Sequence, residues 1–256
     1  MSDPGTVGGP AVGGLTVGIV GTGRLGRSVA EACARAGVPV VLTADRRGRR
    51  GDAVPTVLVD ASAAGAADQV HDYCAEHRVA LVECVSDLTS SQWSRLERLA
   101  AQVAVVRAPN LAVGNYLQSR LAAHLAELQS RLAGAGILAA TAETSVAERH
   151  PTTKAHRPSA TAVALAEGWE RAAGTPVADV ASERGGLPVS DHQLLWSWPA
   201  ETLLLRHSVQ ALDAAAGGAL AAARWAAGQP AGLYLLHSVF DDLIDRGVGA
   251  QLGAAA

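Results

Sequence analysis

The chain has 256 residues, 49% of them hydrophobic, with a formal charge of −3, which is enough for one large domain or two ordinary ones around an apolar core. A pI near 6.2 and short charge blocks argue against a nucleic-acid partner. No apolar run reaches the roughly 18–20 residues of a membrane-spanning helix, and residues 1–14 lack the charged start and apolar core of a signal peptide. A cytoplasmic protein with no membrane partner is therefore expected. Cys33, Cys74 and Cys84 have no metal-ligand spacing and read as reduced thiols, so no metal site is expected.

Residues 1–14, rich in Gly and Pro, read as a flexible tail. Strand patterns at 17–20, 38–43, 56–60, 80–84 and 103–107 alternate with helical patterns at 24–36, 66–77 and 90–102. This βαβαβ order predicts an α/β fold with a Rossmann-type, doubly wound parallel sheet. After Pro109-Asn110 a long helix is expected over 113–133. Strands are expected at 137–148, 177–184, 192–198 and 202–207, and helices at 158–173, 213–227 and 238–246. The expected division is a dinucleotide-binding domain, 15–114 completed by 228–256, and a second α+β domain, 115–227, with an open mixed sheet used for oligomerisation.

Gly21-Thr22-Gly23-Arg24-Leu25-Gly26 follows the first strand and opens the first helix. In that context the first glycine makes the tight turn, the second admits a pyrophosphate, and the third lets helix pack on strand. The helix N-terminus adds free N–H groups and a partial positive charge. The plain alternative is a structural turn. Asp45, 19 residues past Gly26, stands where a carboxylate bonds ribose hydroxyls, and Arg46 and Arg47 stand where a 2′-phosphate is held. The pair of signals leaves NADH against NADPH open, and a solvated basic turn through Arg49 and Arg50 is the bland reading.

The stretch from Glu148 to Ala162 concentrates polar chemistry. His150 and Lys154 are expected in a loop. A histidine can move a proton near neutral pH, and a lysine can hold a carboxylate. Ser159, Ala160 and Thr161 begin a helix after Pro158, where free N–H groups can hold an anion. Solvated loop charges are the alternative. Trp196 and Trp198 share one face of a strand and can either wall a pocket or fill a core or subunit contact.

With these residues the chain resembles dihydrodipicolinate reductase, a lysine-pathway enzyme that reduces a cyclic unsaturated dicarboxylate with NADH or NADPH. The resemblance spans nearly everything after the tail: Gly-Arg-Leu-Gly at 23–26, Val59-Asp60-Ala61-Ser62, Ala108-Pro109-Asn110, the 148–162 stretch, Glu201 to His207, and Pro230-Ala231-Gly232. It implies cofactor contacts at Gly21–Gly26, Asp45, Arg46, Ser62, Cys84, Ser86, Pro109 and Asn110. It implies His150 as proton donor, Lys154 and Thr161 as substrate holders with Ser159, Ala160 and His156 near them, and a homotetramer.

The departures are specific. In the family pattern Glu-x-His-His-x-x-Lys-x-Asp-x-Pro-Ser-Gly-Thr-Ala, Pro151 replaces the second histidine, His156 the aspartate and Ala160 the glycine. Cys84-Val85-Ser86-Asp87 replaces the family's Gly-Thr-Thr-Gly, and an arginine expected shortly after His207 is replaced by Leu212 or its neighbours. The expectation is an NAD(P)H-dependent reductase of a C=N or conjugated C=C bond in the cleft between domains, diverged to another small-molecule substrate, with a role in specialised metabolism. A redox-neutral cyclase or isomerase using His150 and Lys154, a non-catalytic nucleotide sensor, and the ordinary lysine-pathway enzyme are the rivals.

Overall fold

A computed structural model describes residues 14–138, 140–186 and 189–254, with side chains described through residue 247. All but the last residue of the expected 1–14 tail lies outside them. The chain divides into two units, the first running to Ala108 and resuming at Ala219, the second running from Pro109 to Gly218. The boundaries thus fall earlier than the 114 and 227 read from the sequence, because the chain leaves the first sheet as soon as its fifth long strand ends and returns to the first unit midway along a helix. No helix among the described residues is long and apolar enough to cross a membrane.

The first unit contains β1 (Val17–Val20), α1 (Arg24–Arg35), β2 (Val40–Asp45), β3 (Gly48–Arg50), β4 (Val57–Asp60), α2 (Ala64–His77), β5 (Ala80–Glu83), α3 (Ser90–Ala100) and β6 (Ala104–Arg107). Its seven-stranded sheet has the order β11-β6-β5-β4-β1-β2-β3, where β11 is Gly232–Leu235. Only β3 runs antiparallel to its neighbour; the others are parallel. Strand order reverses about β1, the doubly wound arrangement in which ligands lie at the carboxyl ends of the strands. Helices on both faces explain the continuous apolar runs: Val17, Ile19, Val57, Leu58, Val59, Leu81 and Val105 are at most 1% exposed. Each such side chain contributes about 1.5–3 kcal/mol by leaving water. A capping box between Thr89 and Gln92 starts α3.

The second unit contains α4 (Val113–Gly134), β7 (Glu143–His150), α5 (Ala160–Ala173), β8 (Asp179–Arg184), β9 (Ser190–Ser197) and β10 (Thr202–Val209). Then α6 (Asp213–Ala226) crosses into the first unit, which ends with β11 and α7 (Leu236–Ala254). The second sheet has the order β10-β9-β7-β8, antiparallel except for the β7–β8 pair. One face carries Val146, Leu194 and Trp196, packed against Ala122 and Ala126 of α4 and Ala162, Leu165 and Trp169 of α5. Trp169 meets Trp196 edge-on, ring centroids 5.6 Å apart, and Trp198 packs at the margin of the same cluster. The tryptophans belong to the core, not to a pocket wall.

Several expected elements shift. The strand read at 137–148 begins only at Glu143, and Ile137 is 70% exposed. That strand extends to His150, so His150 is not a loop residue. Ser159 caps α5 from outside, and the last helix starts at Leu236 rather than 238.

Candidate functional site

The glycine loop follows β1. Gly21 has φ +93°, and a Cβ there would lie 2.5 Å from the Ala61 carbonyl oxygen. A Cβ on Gly26 would fall 1.8 Å from the Gly21 carbonyl oxygen, so only glycine lets α1 seat on the loop. Gly23, by contrast, has nothing within 4 Å of its missing Cβ. It is the N-cap of α1, with no side-chain cap and no acidic residue in the first turn. The unsatisfied N–H groups of that turn are open to an anion. A cavity of about 850 Å³ runs past Gly21, Thr22 and Gly23 to Asp45, Arg46 and Arg47, and also reaches Ser62 and Arg27. Arg24, Leu25 and Gly26 do not line it.

At the far end β2 and β3 form a hairpin whose two-residue turn is Arg46-Arg47. Asp45 closes the turn by accepting the Arg47 N–H at 2.8 Å, and the Thr22 hydroxyl donates to its other oxygen. The Thr22 and Arg47 bonds hold Asp45 below the usual carboxylate range. Arg46 and Arg47 stay exposed beside the cavity, whereas Arg49 turns onto the ring of Tyr73, 5.5 Å from its centroid. Open space over Gly23, bare helix amides and flanking guanidiniums fit the pyrophosphate and ribose end of a dinucleotide.

The strand ends next to it are acidic and buried. Ser62 donates its N–H and its hydroxyl to Asp60. Glu83 accepts the Val85 N–H at 2.9 Å and sits 3.0 Å from His71 Nε2, both side chains buried. Burial and the Glu83 charge push Asp60 up to about 6. This Asp60–Glu83–His71 cluster under the 84–87 loop was not read from the sequence. Cys84 bonds the Val82 carbonyl and is pushed well above the usual thiol range by burial and Glu83, while Ser86 is exposed. Neither lines the cavity. Pro109 and Asn110 fall in the second unit, where Asn110 donates to the Thr161 hydroxyl at 3.1 Å and accepts the Ala112 N–H at 3.1 Å.

The second unit gathers its polar groups at the end of β7. Alternation places Thr144, Val146, Glu148 and His150 on the buried face. Glu148 is the hub. It accepts Arg184 Nη2 at 2.9 Å, the Ser182 hydroxyl at 2.8 Å and the Ser159 N–H at 3.1 Å. Burial alone would raise its pKa, but these donors bring it down to about 2. Its Oε2 stands 3.3 Å from His150 Nε2 and 3.7 Å from His192 Nε2. Burial lowers His150 below the ordinary histidine range, with Glu148 opposing. One ligating atom each from Glu148, His150 and His192 lie within 4.8 Å of one another, but the Arg184 guanidinium already supplies the counter-cation.

Arg184 also donates to the carbonyls of Lys154, at 2.9 Å, and His156. It thereby ties the 151–156 loop to the sheet and holds half-buried Lys154 beside the cluster. His156 and Ala160 are exposed, and Thr161 is half-buried. Ser159 caps α5 through its hydroxyl, and its N–H belongs to Glu148 rather than to a substrate. Among the three expected amide donors, Ala160 and Thr161 remain. Glu148, Arg184 and His192 were missed as site residues. The available signal was a buried-face strand position occupied by a polar side chain.

Both halves of the chain match known proteins. Residues 15–111 match the family model for the N-terminus of dihydrodipicolinate reductase, and residues 120–240 that for its C-terminus. The 4-hydroxy-tetrahydrodipicolinate reductase of Myxococcus xanthus is 32% identical over 201 residues, covering 72% of this chain and 71% of that protein. That of an Anaeromyxobacter species is 30% identical over 238 residues, covering 84% and 85%. The dipicolinate-bound dihydrodipicolinate reductase from a Paenisporosarcina species shares the fold, with a TM-score of 0.67 at 16% identity over 88% of this chain and 99% of that one. The chain belongs to the dihydrodipicolinate reductase family, whose members are NAD(P)H-dependent oxidoreductases.

Proposed function

We propose that this chain reduces a C=N or conjugated C=C bond of a small molecule less acidic than the dicarboxylate for which its relatives are named, with His150 giving the proton. When bound, the reduced nicotinamide supplies the hydride. The loop amides of Gly23 and the first turn of α1 hold the pyrophosphate, and Asp45, Arg46 and Arg47 grip the adenosine end. The observation that carries the catalytic reading is the 3.3 Å approach of Glu148 Oε2 to His150 Nε2 beside the N-terminus of α5. An ionised acid there steadies a proton on His150. Lys154 and the amides of Ala160 and Thr161 hold one anionic or polar group of the substrate.

The lower acidity rests on what replaces the family's cations. Pro151 offers neither side-chain donor nor N–H, and Leu212 offers no charge. Arg184 is committed to Glu148 and three carbonyls. Losing partners for a buried carboxylate costs several kcal/mol, enough to reverse a substrate preference. Retention of His150, Lys154 and Thr161 at the family's positions favours the second reading, in which the dicarboxylate itself is the substrate. Following NADPH consumption with that compound and with imines bearing one carboxylate or none separates the two.

The uncovered face of the second sheet, where Leu195 pairs with Leu204 beside the row of Gln193 and Arg206, is the surface on which this reading places self-association, as a homotetramer.

A further inference from the structure

The helix-covered face of the second sheet carries a polar row that no apolar core requires. Strand register sets Ser182 beside Glu148, Glu148 opposite His192, and His192 opposite His207. His192 is 1% exposed. Its ring meets that of His150 edge-on, centroids 5.1 Å apart and planes at 74°. Its Nε2 pairs with the Ser159 hydroxyl at 3.2 Å. One Glu148 oxygen therefore faces two imidazoles, at 3.3 and 3.7 Å. Two imidazolium rings this close repel strongly in a water-poor interior, so the first proton the cluster takes up as pH falls disfavours a second, and the surroundings decide which ring carries it.

We propose that His192 is a positioning residue that directs this proton to His150, by staying an uncharged partner of Ser159 and leaving the Glu148 charge to its neighbour. The proposal rests on the reading of His150 as proton donor. The charged and titratable groups around His192 are Glu148 and His150 of β7, His207 of β10 and Asp191 of its own strand. Around His150 they are Glu148, Arg184 and Lys154. From α4, Gln118 contributes only an amide, which donates to the His192 carbonyl at 2.8 Å. Burial, then the neighbouring His150, brings His192 down to about 4. His150 sits at the strand end beside the loop that carries Lys154. Geometry and charge thus give the two rings unequal claims on one carboxylate. His192 also transmits position, because the hydroxyl it pairs with is the one that caps α5, whose first turn holds the amides of Ala160 and Thr161.

The test is the side-chain ¹H–¹⁵N spectrum of the full chain labelled in histidine, followed from about pH 8 to about pH 4. The expected result is that His150 protonates first while His192 keeps the signals of a neutral ring until about pH 4. In His192→Asn the shorter amide admits water, and the His150 midpoint rises by about one pH unit toward the ordinary histidine range. In Glu148→Gln it falls. His192→Gln serves if the Asn variant does not fold, as judged by its thermal transition. Simultaneous titration of the two rings, or a His150 midpoint unmoved by any folded variant, overturns the proposal. The spectra need no substrate, so their failure sinks this proposal alone. Turnover retained by His150→Ala would instead sink the proton-donor reading.

Discussion

Arg184 donates to the Glu148 carboxylate at 2.9 Å across neighbouring strands, and the two side chains are 3% and 0% exposed. The same guanidinium holds the Lys154 and His156 carbonyls. One buried contact thereby fixes both the acid that faces His150 and the loop that presents Lys154.

Removing one partner of such a pair leaves a buried charge uncompensated. Arg184→Met is expected to cost about 3–5 kcal/mol in urea unfolding, and Arg184→Met combined with Glu148→Met to recover most of it. A single-variant cost under about 1 kcal/mol would show that water, not Arg184, satisfies Glu148.

Stability should decline with acid in two stages. His192 has its folded pKa lowered to about 4 from an ordinary 6.5, so its contribution is present above about pH 6.5 and is lost as pH falls to about 4. Glu148, lowered from 4.5 to about 2, keeps its contribution above about pH 4.5 and loses it toward pH 2. Denaturant midpoints measured against pH check this: His192→Asn should shrink the first stage, to which His150 and His207, also lowered by burial, contribute, and leave the second unchanged. A first stage undiminished in His192→Asn assigns it to those other histidines.

The two ends of the cofactor cavity should separate by mutation. A Cβ at Gly23 meets no protein atom within 4 Å, so Gly23→Asp should fold normally yet lose dinucleotide binding in calorimetry, by clash and by repulsion of the pyrophosphate. Arg46→Ala should weaken NADPH by about 1.5–3 kcal/mol and leave NADH nearly unchanged. Equal losses for both cofactors would remove Arg46 from the 2′-phosphate site.

The first sheet was legible because its central strands are buried on both faces and read as unbroken apolar runs. β3 was not, since Gly48-Arg49-Arg50 is an exposed edge with no apolar alternation, and β11 was hidden in four residues, Gly232–Leu235. Residues 137–142 read as strand by composition alone. The glycine loop was readable from sequence because its chemistry is local. The Glu148 hub was not, because Arg184 and His192 reach it from other strands, 36 and 44 positions away in sequence, and only register brings them together. His150 was expected in the polar loop with Lys154, but β7 extends to it.

Light scattering at micromolar concentration should show an oligomer, with a tetramer expected. Leu204, 52% exposed on the uncovered sheet face, is the residue to test. Leu204→Glu should lower the mass without changing the thermal transition. A monomeric parent protein would withdraw that face from self-association.

The most direct measurement is the steady-state rate of NADPH oxidation by the purified chain with dihydrodipicolinate as substrate. The account predicts kcat/KM below about 10⁴ M⁻¹ s⁻¹, the lower edge of ordinary enzymes, together with faster turnover of a less acidic imine that disappears in His150→Ala. Efficient reduction of dihydrodipicolinate, above that value, would contradict it and make the dicarboxylate the substrate.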